Sequence, residues 1–292
     1  MSDSRAGDEP VYSVVVPFYN EAETAAGLIA EIERAMRGLG EPWELLMVND
    51  GSRDTTGEIL QQAAAAHANH RYLRLPKNRG QAAALSAGMQ RARGRFVVTM
   101  DGDGQNDPAD IPALAALLDG ADMVVGIRAG RRDSWLRRAM SKFANAIRGR
   151  LLDDRMQDSG CALKVFRREV VPVLLPLKTL YSFMPALAKA GGFRLAERPV
   201  NHRPRLGGKS SYGFVAFLWK PAVDLVGIWW FRKRSFALRG VEVEERGAPK
   251  APENEKAGSP LTGRAGLAGS CVSDSLRRAS SARRAAAGRR DR

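Results

Sequence analysis

The sequence lacks the glycine-rich loops by which two widespread classes of protein bind nucleotides. No Gly-x-Gly-x-x-Gly follows the first apolar run, which argues against a dinucleotide-binding fold, and no P-loop is present. Only two cysteines occur, Cys161 and Cys271, in neither a disulfide framework nor a zinc-binding spacing. This sparse usage is typical of a reducing compartment. The polar first ten residues resemble neither a signal peptide nor a transit peptide.

Aromatic residues are absent after Phe236, where small residues and arginine become dominant. Such a composition cannot bury enough apolar surface to offset the conformational entropy lost on folding. The last 29 residues contain eight arginines and two aspartates, and so contribute +6 of the net charge of +14. We therefore predict a flexible N-terminus over residues 1–10 and a disordered basic tail over residues 236–292.

The most informative motif that is present follows an apolar run at residues 96–100. Asp101 and Asp103 come directly after this predicted strand, each is followed by glycine, and Gln105 lies two residues further on. Open α/β sheets bind ligands beyond the carboxyl ends of their strands. Two carboxylates and an amide are a hard-oxygen set that suits Mg²⁺ or Mn²⁺. The alternative is an ordinary Asp-Gly turn.

Apolar runs and helical patterns alternate along residues 11–126, with short connections between them. This order predicts an α/β fold, a mostly parallel sheet flanked by helices. Glu21 and Asp50 follow the first two predicted strands, so we expect them at the same sheet edge as Asp101 and Asp103. Asn20 is the predicted cap of the first helix. The run at 194–203 contains Pro199 and is predicted to be an edge strand.

Four motifs occur in a fixed order: Val16-Pro17-Phe18-Tyr19-Asn20-Glu21, Val48-Asn49-Asp50-Gly51-Ser52, Lys77-Asn78-Arg79-Gly80-Gln81 and Asp101-Gly102-Asp103-Gly104-Gln105-Asn106-Asp107-Pro108. Their order and spacing resemble the family 2 glycosyltransferases, which have a GT-A fold. With Ser159–Cys161 and Arg205–Tyr212, the chain looks like the polyprenyl-phosphate branch, dolichol-phosphate mannosyltransferase and its undecaprenyl-phosphate relatives. The resemblance covers about residues 11–235.

The resemblance implies inverting transfer of a sugar from a GDP- or UDP-linked donor to a polyprenyl phosphate. It implies a Mg²⁺ or Mn²⁺ ion bound by Asp101, Asp103 and Gln105. Asp103, Arg128 and Asp158 are the expected catalytic residues, with Arg128 on the diphosphate and Asp158 as base or acceptor-positioning carboxylate. The expected donor-binding residues are Pro17, Tyr19, Glu21, Asp50, Asn78, Gly80, Gln81, Asp101 and Arg128.

The acceptor phosphate needs positive charge. Arg137 and Ser141 lie one helical turn apart in a basic pattern and therefore face the same side. The resemblance assigns them, with Arg205, Lys209 and Ser210, to the acceptor phosphate.

Residues 213–231 are mostly apolar, but Lys220, Pro221 and Asp224 interrupt the run and Arg232-Lys233-Arg234 follow it. The interruptions disfavour a membrane span and favour an interfacial helix. A helix packed on the domain core is the alternative. We expect a GT-A catalytic domain over residues 11–212 and a membrane-surface helix over residues 213–235. The expected location is peripheral, on the cytoplasmic face of the membrane.

Two other functions compete with this prediction. One is a family 2 glycosyltransferase with a non-lipid acceptor such as a polysaccharide. The other is a nucleic-acid-binding protein, suggested by the isoelectric point of about 10.3. The sequence has no groove-reading motif with interleaved aromatic and basic residues, so specific nucleic-acid binding is not expected. The sequence predicts no particular protein partner.

Overall fold

The computed structural model describes residues 9–128, 149, 156–204, 225–230 and 233–234. Short apolar runs form seven strands: β1 Tyr12–Phe18, β2 Trp43–Asn49, β3 His70–Arg74, β4 Phe96–Thr99, β5 Met123–Arg128, β6 Lys164–Arg167 and β7 Leu195–Val200. The α-helices are α1 Ala22–Leu39, α2 Thr56–Ala66, α3 Gln81–Met89, α4 Ile111–Ala115 and α5 Leu180–Ala190. Short 3₁₀ helices span Pro108–Asp110, Ala116–Asp119 and Arg168–Val173.

The strands form one sheet in the order β3-β2-β1-β4-β6-β5-β7. Every pairing is parallel except those of β6, which runs antiparallel to both β4 and β5. The predicted mostly parallel sheet is confirmed, and β7 with Pro199 lies at its edge. The reversed β6 has a functional consequence. Because it starts where β4 and β5 end, the residues just before it lie beside the segments that follow those two strands.

Helices cover both faces of the sheet. Side chains alternate along a strand, so Val14 and Val16 of β1 join the core under α1 and α4, whereas Val15 joins the core under α3 and α5. All three valines are fully buried. The apolar faces therefore fix the sheet in place and leave its carboxyl edge to polar loops.

The predicted cap of the first helix is wrong. Glu21, not Asn20, is at the start of α1, and Asn20 adopts a left-handed conformation with φ 54°. The Asn20 side-chain oxygen accepts a hydrogen bond from the Arg53 amide at 2.8 Å. Thr55 precedes α2 without capping it through its side chain, and Asp54 accepts from the Thr56 amide at 3.1 Å. These polar side chains tie the loops after β1 and β2 together.

Residues 225–230 are helical and have one buried and one exposed side. Ile228 is 2% exposed, and Leu225 and Trp229 pack against the α3–α5 core. Val226 and Trp230 are 62% and 55% exposed. Within the described ranges, no helix combines the length and the apolarity that a membrane crossing needs.

Candidate active site

The four predicted carboxylates follow three adjacent strands at one edge of the sheet. β1 pairs with β2 and with β4 in parallel register, so the segments after all three strands leave the sheet on the same side. Glu21 follows β1, Asp50 follows β2, and Asp101 and Asp103 follow β4. The Asp50 amide donates to the Phe18 carbonyl at 2.9 Å, which joins the first two of these segments.

The loop after β4 alternates between exposed and buried positions. Asp101, Asp103 and Gln105 are partly exposed, while Gly102 and Gly104 are buried between them. A Cβ atom at Gly102 would lie 2.5 Å from the Pro17 carbonyl oxygen, so only glycine fits there. This close approach presents both carboxylates beside the end of β1.

Hydrogen bonds hold the carboxylates of this loop in place. The Gln81 side-chain amide donates to Asp101 Oδ1. The backbone amide of Gln105 donates to Asp103 Oδ1 at 3.1 Å. The Thr24 hydroxyl donates to the Gly102 carbonyl at 3.2 Å. The donor set of two carboxylates and one amide within five residues fits a divalent cation that prefers oxygen.

Asp50 is 2% exposed and anchors the turn at residues 77–80. Its two carboxylate oxygens accept from the Arg79 and Gly80 amides at 2.7 and 2.9 Å. Burial raises the pKa of Asp50, and the two backbone hydrogen bonds oppose that rise. Gly51, with φ 69°, contacts the same turn, because a Cβ there would lie 2.6 Å from the Asn78 nitrogen. Asp50 therefore positions Asn78, Gly80 and the start of α3.

The remaining predicted donor residues line the end of β1. Pro17 is buried and Tyr19 and Glu21 are partly exposed. The Glu21 amide donates to the Thr56 hydroxyl at 2.9 Å, and the Thr24 hydroxyl lies 3.4 Å from Glu21 Oε2. These contacts connect Glu21 through Thr24 to the loop that carries Asp101 and Asp103.

Arg128 and Asp158, predicted separately, form one bidentate ion pair. Arg128 Nε and Nη2 donate to the two Asp158 oxygens at 2.7 and 2.8 Å, and the Arg128 amide adds a bond of 3.1 Å. Burial lowers the pKa of Arg128, but the hydrogen bond and charge of Asp158 outweigh it and raise the pKa overall. The Glu197 side chain accepts hydrogen bonds from the backbone amides of Gln157 and Asp158, which fixes the turn that carries Asp158.

The family assignment rests on a match to most of the described catalytic fold. The profile of Glycosyl transferase family 2 matches residues 13–175, more than half of the chain. The chain belongs to this family. Its mostly parallel seven-stranded sheet with flanking helices is the GT-A fold of family 2 glycosyltransferases.

Solved structures share this fold at low sequence identity. A mannosyltransferase from Pyrobaculum calidifontis, in complex with GDP-Man and Mn²⁺, is 20% identical with a TM-score of 0.56. The match covers 78% of this chain and 65% of the mannosyltransferase, less than two thirds of its length. Glucosyl-3-phosphoglycerate synthase from Mycobacterium tuberculosis, in complex with Mn²⁺, UDP-glucose and phosphoglyceric acid, is 19% identical with a TM-score of 0.54, covering 76% and 79% of the two chains.

The predicted acceptor residues of this glycosyltransferase lie outside the described residues. They are Arg137, Ser141, Arg205, Lys209 and Ser210. The basic pattern around Arg137 and Ser141 likewise lies outside the described residues. The assignment of these residues to the acceptor stays a prediction.

Two residues beside the candidate site lie outside the family 2 motifs. Lys164 is fully buried on β6, its ammonium donates to the Cys161 carbonyl, and it lines a small pocket with Gln81 and Asp101. Burial lowers its pKa from 10.5 to about 8. The sequence does indicate that Lys164 is unusual, because it lies inside the apolar run Ala162–Phe166 and a central strand position is costly for an ammonium group.

Arg203 is the second missed residue. Its guanidinium pairs with Glu31 at 2.7 Å and with Asp107 at 2.8 Å, and its amide donates to the Gln105 carbonyl at 2.9 Å. It thereby fastens the segment after β7 to the loop that carries Asp103. The partners lie 96 to 172 positions apart in the sequence, so local spacing held no signal for this contact.

Proposed function

We propose that the protein transfers a hexose from a nucleoside diphosphate sugar to the phosphate of a polyprenyl lipid, with inversion at the anomeric carbon. One observation carries the proposal: a pair of carboxylates and a partly buried arginine–carboxylate ion pair lie at the same edge of a family 2 fold. Carboxylates suit a divalent cation, and arginine suits a diphosphate.

Asp101, Asp103 and Gln105 would hold Mg²⁺ or Mn²⁺ in this function. Such an ion, when bound, supplies Lewis-acid stabilisation to the diphosphate leaving group. The Mn²⁺ and Mg²⁺ complexes of structurally similar glycosyltransferases support this choice of cation. Glu21 and Asp50 lie where hydroxyl groups or a base edge of the donor can donate to them, beside Pro17 and Tyr19. The turn with Asn78 and Gly80 and the Gln81 side chain complete the donor site.

Arg128 would neutralise charge on the diphosphate from a fixed position. A guanidinium has five N–H donors, and the pair with Asp158 uses two of its side-chain N–H groups. Because both Asp158 oxygens bind Arg128, we assign Asp158 to positioning of the arginine in preference to proton abstraction. A phosphate acceptor is already anionic and needs little help from a base.

The lipid acceptor is supported by the apolar surface at residues 226–230. Val226 and Trp230 are the exposed large apolar side chains of the described ranges, and Lys233 and Arg234 stack on Trp229 and Trp230 at 4.6 and 5.1 Å. Tryptophan beside basic residues suits the headgroup level of a membrane. We therefore propose peripheral membrane association, with Arg137, Ser141, Arg205, Lys209 and Ser210 near the lipid phosphate.

A soluble phosphorylated acceptor is the second candidate function. A glucosyl-3-phosphoglycerate synthase of the same fold has been solved with phosphoglyceric acid, an anionic acceptor without a lipid. The same basic residues would serve such an acceptor. This candidate predicts turnover in aqueous solution without vesicles.

The deciding experiment follows labelled sugar from a panel of GDP- and UDP-linked donors, with Mn²⁺ and polyprenyl phosphate in vesicles. We expect label in the organic phase and its loss on chelation. Asp103→Ala should lower turnover at least about a thousandfold if the carboxylate holds the ion. Asp119→Ala, an exposed aspartate on the 3₁₀ helix at 116–119, is the matched control and should retain activity. Label that stays in the aqueous phase would overturn the lipid acceptor.

A further inference from the structure

Two of the three histidines in the sequence converge on one glutamate at the other edge of the sheet. His70 is the first residue of β3, His67 directly follows α2, and Glu33 lies in the fourth turn of α1. Because β1 to β4 are parallel, the start of β3 lies at the amino edge and Asp101 and Asp103 lie beyond the carboxyl edge. This cluster, Glu33, His67 and His70, is therefore separate from the active site.

The distances within the cluster match those between ligands of a tetrahedral metal ion. His67 Nε2 and His70 Nε2 lie 3.4 and 3.5 Å from the same glutamate oxygen, Glu33 Oε1. Ligands at about 2.0–2.1 Å from a tetrahedral Zn²⁺ are separated by about 3.3–3.4 Å. All three ligand atoms lie within 4.8 Å of one another. A small inward adjustment of the side chains would place a metal ion between them.

His70 gives a second, independent indication of a ligand. Its side chain is 1% exposed, and among the described residues its ring nitrogens have only a loose contact of Nε2 with Glu33 at 3.5 Å and a weak interaction with the Ala63 backbone, neither a hydrogen bond of good geometry. A buried imidazole without a good hydrogen bond is costly, and a metal bond to Nε2 removes part of that cost. Burial, followed by the neighbouring His67, lowers the pKa of His70.

Arg37 orients the glutamate toward the histidines. Its guanidinium pairs with Glu33 Oε2 at 3.1 Å and donates to the Glu33 backbone carbonyl at 3.3 Å, leaving Oε1 on the histidine side. Ligating carboxylates are commonly held by such an outer hydrogen bond. The Trp43 ring lies 5.7 Å from the His70 ring and confines it. His67, with its side chain 48% exposed, leaves an entry path from solvent.

We propose that Glu33, His67 and His70 form a second cation site, which binds a borderline-soft divalent metal such as Zn²⁺ with water as the fourth ligand. Two imidazoles and one carboxylate suit Zn²⁺, unlike the all-oxygen set of Asp101, Asp103 and Gln105. The ion joins α1 to the connection between α2 and β3. Its role is to stabilise the fold, because a metal that binds only the folded chain opposes unfolding by mass action.

The test uses Co²⁺ as a spectroscopic probe for Zn²⁺ on the full chain, with excess Mg²⁺ present to occupy the carboxylate site. Tetrahedral Co²⁺ with imidazole ligands absorbs strongly in the visible range, whereas six-coordinate oxygen sites absorb weakly. We expect about one tetrahedral Co²⁺ per chain, displaced by Zn²⁺, and a higher melting temperature with Zn²⁺ than with a chelator.

Two ligand variants and one control complete the test. His67→Ala and Glu33→Gln should each weaken Co²⁺ binding at least about tenfold, since each removes a ligand. Gln61→Ala, an exposed change on α2, should retain the spectrum. His67 is largely exposed, so its variant should still fold. An unchanged spectrum in both ligand variants, or none in the wild type, would overturn the proposal. Its failure leaves the transferase proposal intact, because no step of that reaction uses the cluster.

Discussion

Lys164 places a cation inside the sheet, directly behind the carboxylates of the candidate active site. Its surroundings both oppose and support the charge. Burial is the largest effect and lowers its pKa, while Cys161, Asp101 and Asp158 act in the opposite direction. The positive charge thus offsets part of the repulsion between carboxylates that meet at this edge.

The stability of the folded chain should depend on pH through Lys164. Its pKa is lowered from 10.5 to about 8, so between these pH values the unfolded chain binds a proton that the folded chain has released. The free energy of unfolding therefore gains up to about 3 kcal/mol from this group as the pH rises from 8 to 10.5, and nothing below pH 8. Urea denaturation of wild type and Lys164→Met at several pH values measures the difference.

The control for this prediction is Lys178→Met, which changes an exposed lysine. Its stability profile should run parallel to that of the wild type. The Lys164→Met profile should instead diverge from that of the wild type above pH 8. Parallel profiles for both variants would show that Lys164 has the same pKa in the folded and the unfolded chain.

The Arg128–Asp158 pair should behave as one unit in a double-mutant cycle. The side chains are 19% and 15% exposed, so removing one partner takes a bidentate contact away from a largely buried charge, at a cost of about 1–3 kcal/mol. Asp158→Asn and Arg128→Gln should each slow sugar transfer, and the double variant should be no slower than the worse single one. Steady-state rates with a nucleotide sugar measure this.

A catalytic base at Asp158 would give a different pattern. Its loss would then multiply the effect of the Arg128 variant, because the two groups would act in separate ways. Asp119→Asn supplies the control for a change of charge on an exposed aspartate.

The position of individual candidate residues at the sheet edge could be predicted where the motif is local. Asp101, Asp103 and Asp50 follow strands, and the sequence pattern places strands well enough to identify their ends. The partner of each residue could not be predicted in the same way. The contacts of Arg128 with Asp158 and of Arg203 with Glu31 join residues 30 and 172 positions apart. Such pairs depend on strand order, which a single sequence does not encode locally.

At the scale of elements, the antiparallel direction of β6 was the main feature that the apolar pattern of the sequence did not determine. The apolar run Ala162–Phe166 predicts a strand but carries no direction. Antiparallel pairing with β4 and β5 brings residues 158–163 to the carboxyl edge, where a parallel strand would have taken them to the other edge. The site therefore depends on this reversal as much as on the motif after β4.

The loop after β4 should tolerate no side chain at Gly102. A Cβ atom there would lie 2.5 Å from the Pro17 carbonyl and 2.8 Å from the Phe18 ring, and backbone cannot yield cheaply. Gly102→Ala should destabilise the fold by about 1–3 kcal/mol and displace both aspartates. Isothermal titration should show weaker Mn²⁺-dependent binding of a nucleoside diphosphate.

The matched control is another glycine-to-alanine change, Gly27→Ala. Gly27 lies within α1 with nothing within 4 Å of the added methyl group. This change should stabilise the helix by about 0.5–1 kcal/mol and leave nucleotide binding unchanged. Equal effects of the two changes on Mn²⁺-dependent binding would contradict a role for the close approach at Gly102.

At the scale of the whole molecule, the parallel strands separate two kinds of chemistry. Carboxylates of the candidate active site collect beyond the carboxyl edge, and two imidazoles with a glutamate collect at the amino edge. The carboxyl-edge group was predictable, because family 2 motifs mark it. The amino-edge group was not, since Glu33 is 34 positions from His67 and no zinc-binding spacing connects them. The packing of α1 against α2 brings the two together.

The predicted membrane-surface helix can be tested on the whole chain through one exposed side chain. Trp230 is 55% exposed and Arg234 stacks on it, so Trp230→Ala removes apolar surface without opening the core. We expect the full-length wild type to co-sediment with vesicles that contain anionic lipid. Trp230→Ala should bind such vesicles more weakly by about 1.5–3 kcal/mol, the value of a buried large apolar side chain.

A salt series and a charge-removing control variant separate the apolar contribution of Trp230 from electrostatic attraction of the basic chain to anionic lipid. High salt should weaken the binding of wild type and variant alike, because it screens the net charge of +14. Arg34→Gln, which removes one exposed charge from α1, should bind nearly as the wild type does. If Trp230→Ala and wild type bind equally at every salt concentration, the exposed face of residues 226–230 does not contact the membrane, and a soluble phosphorylated acceptor becomes the better candidate.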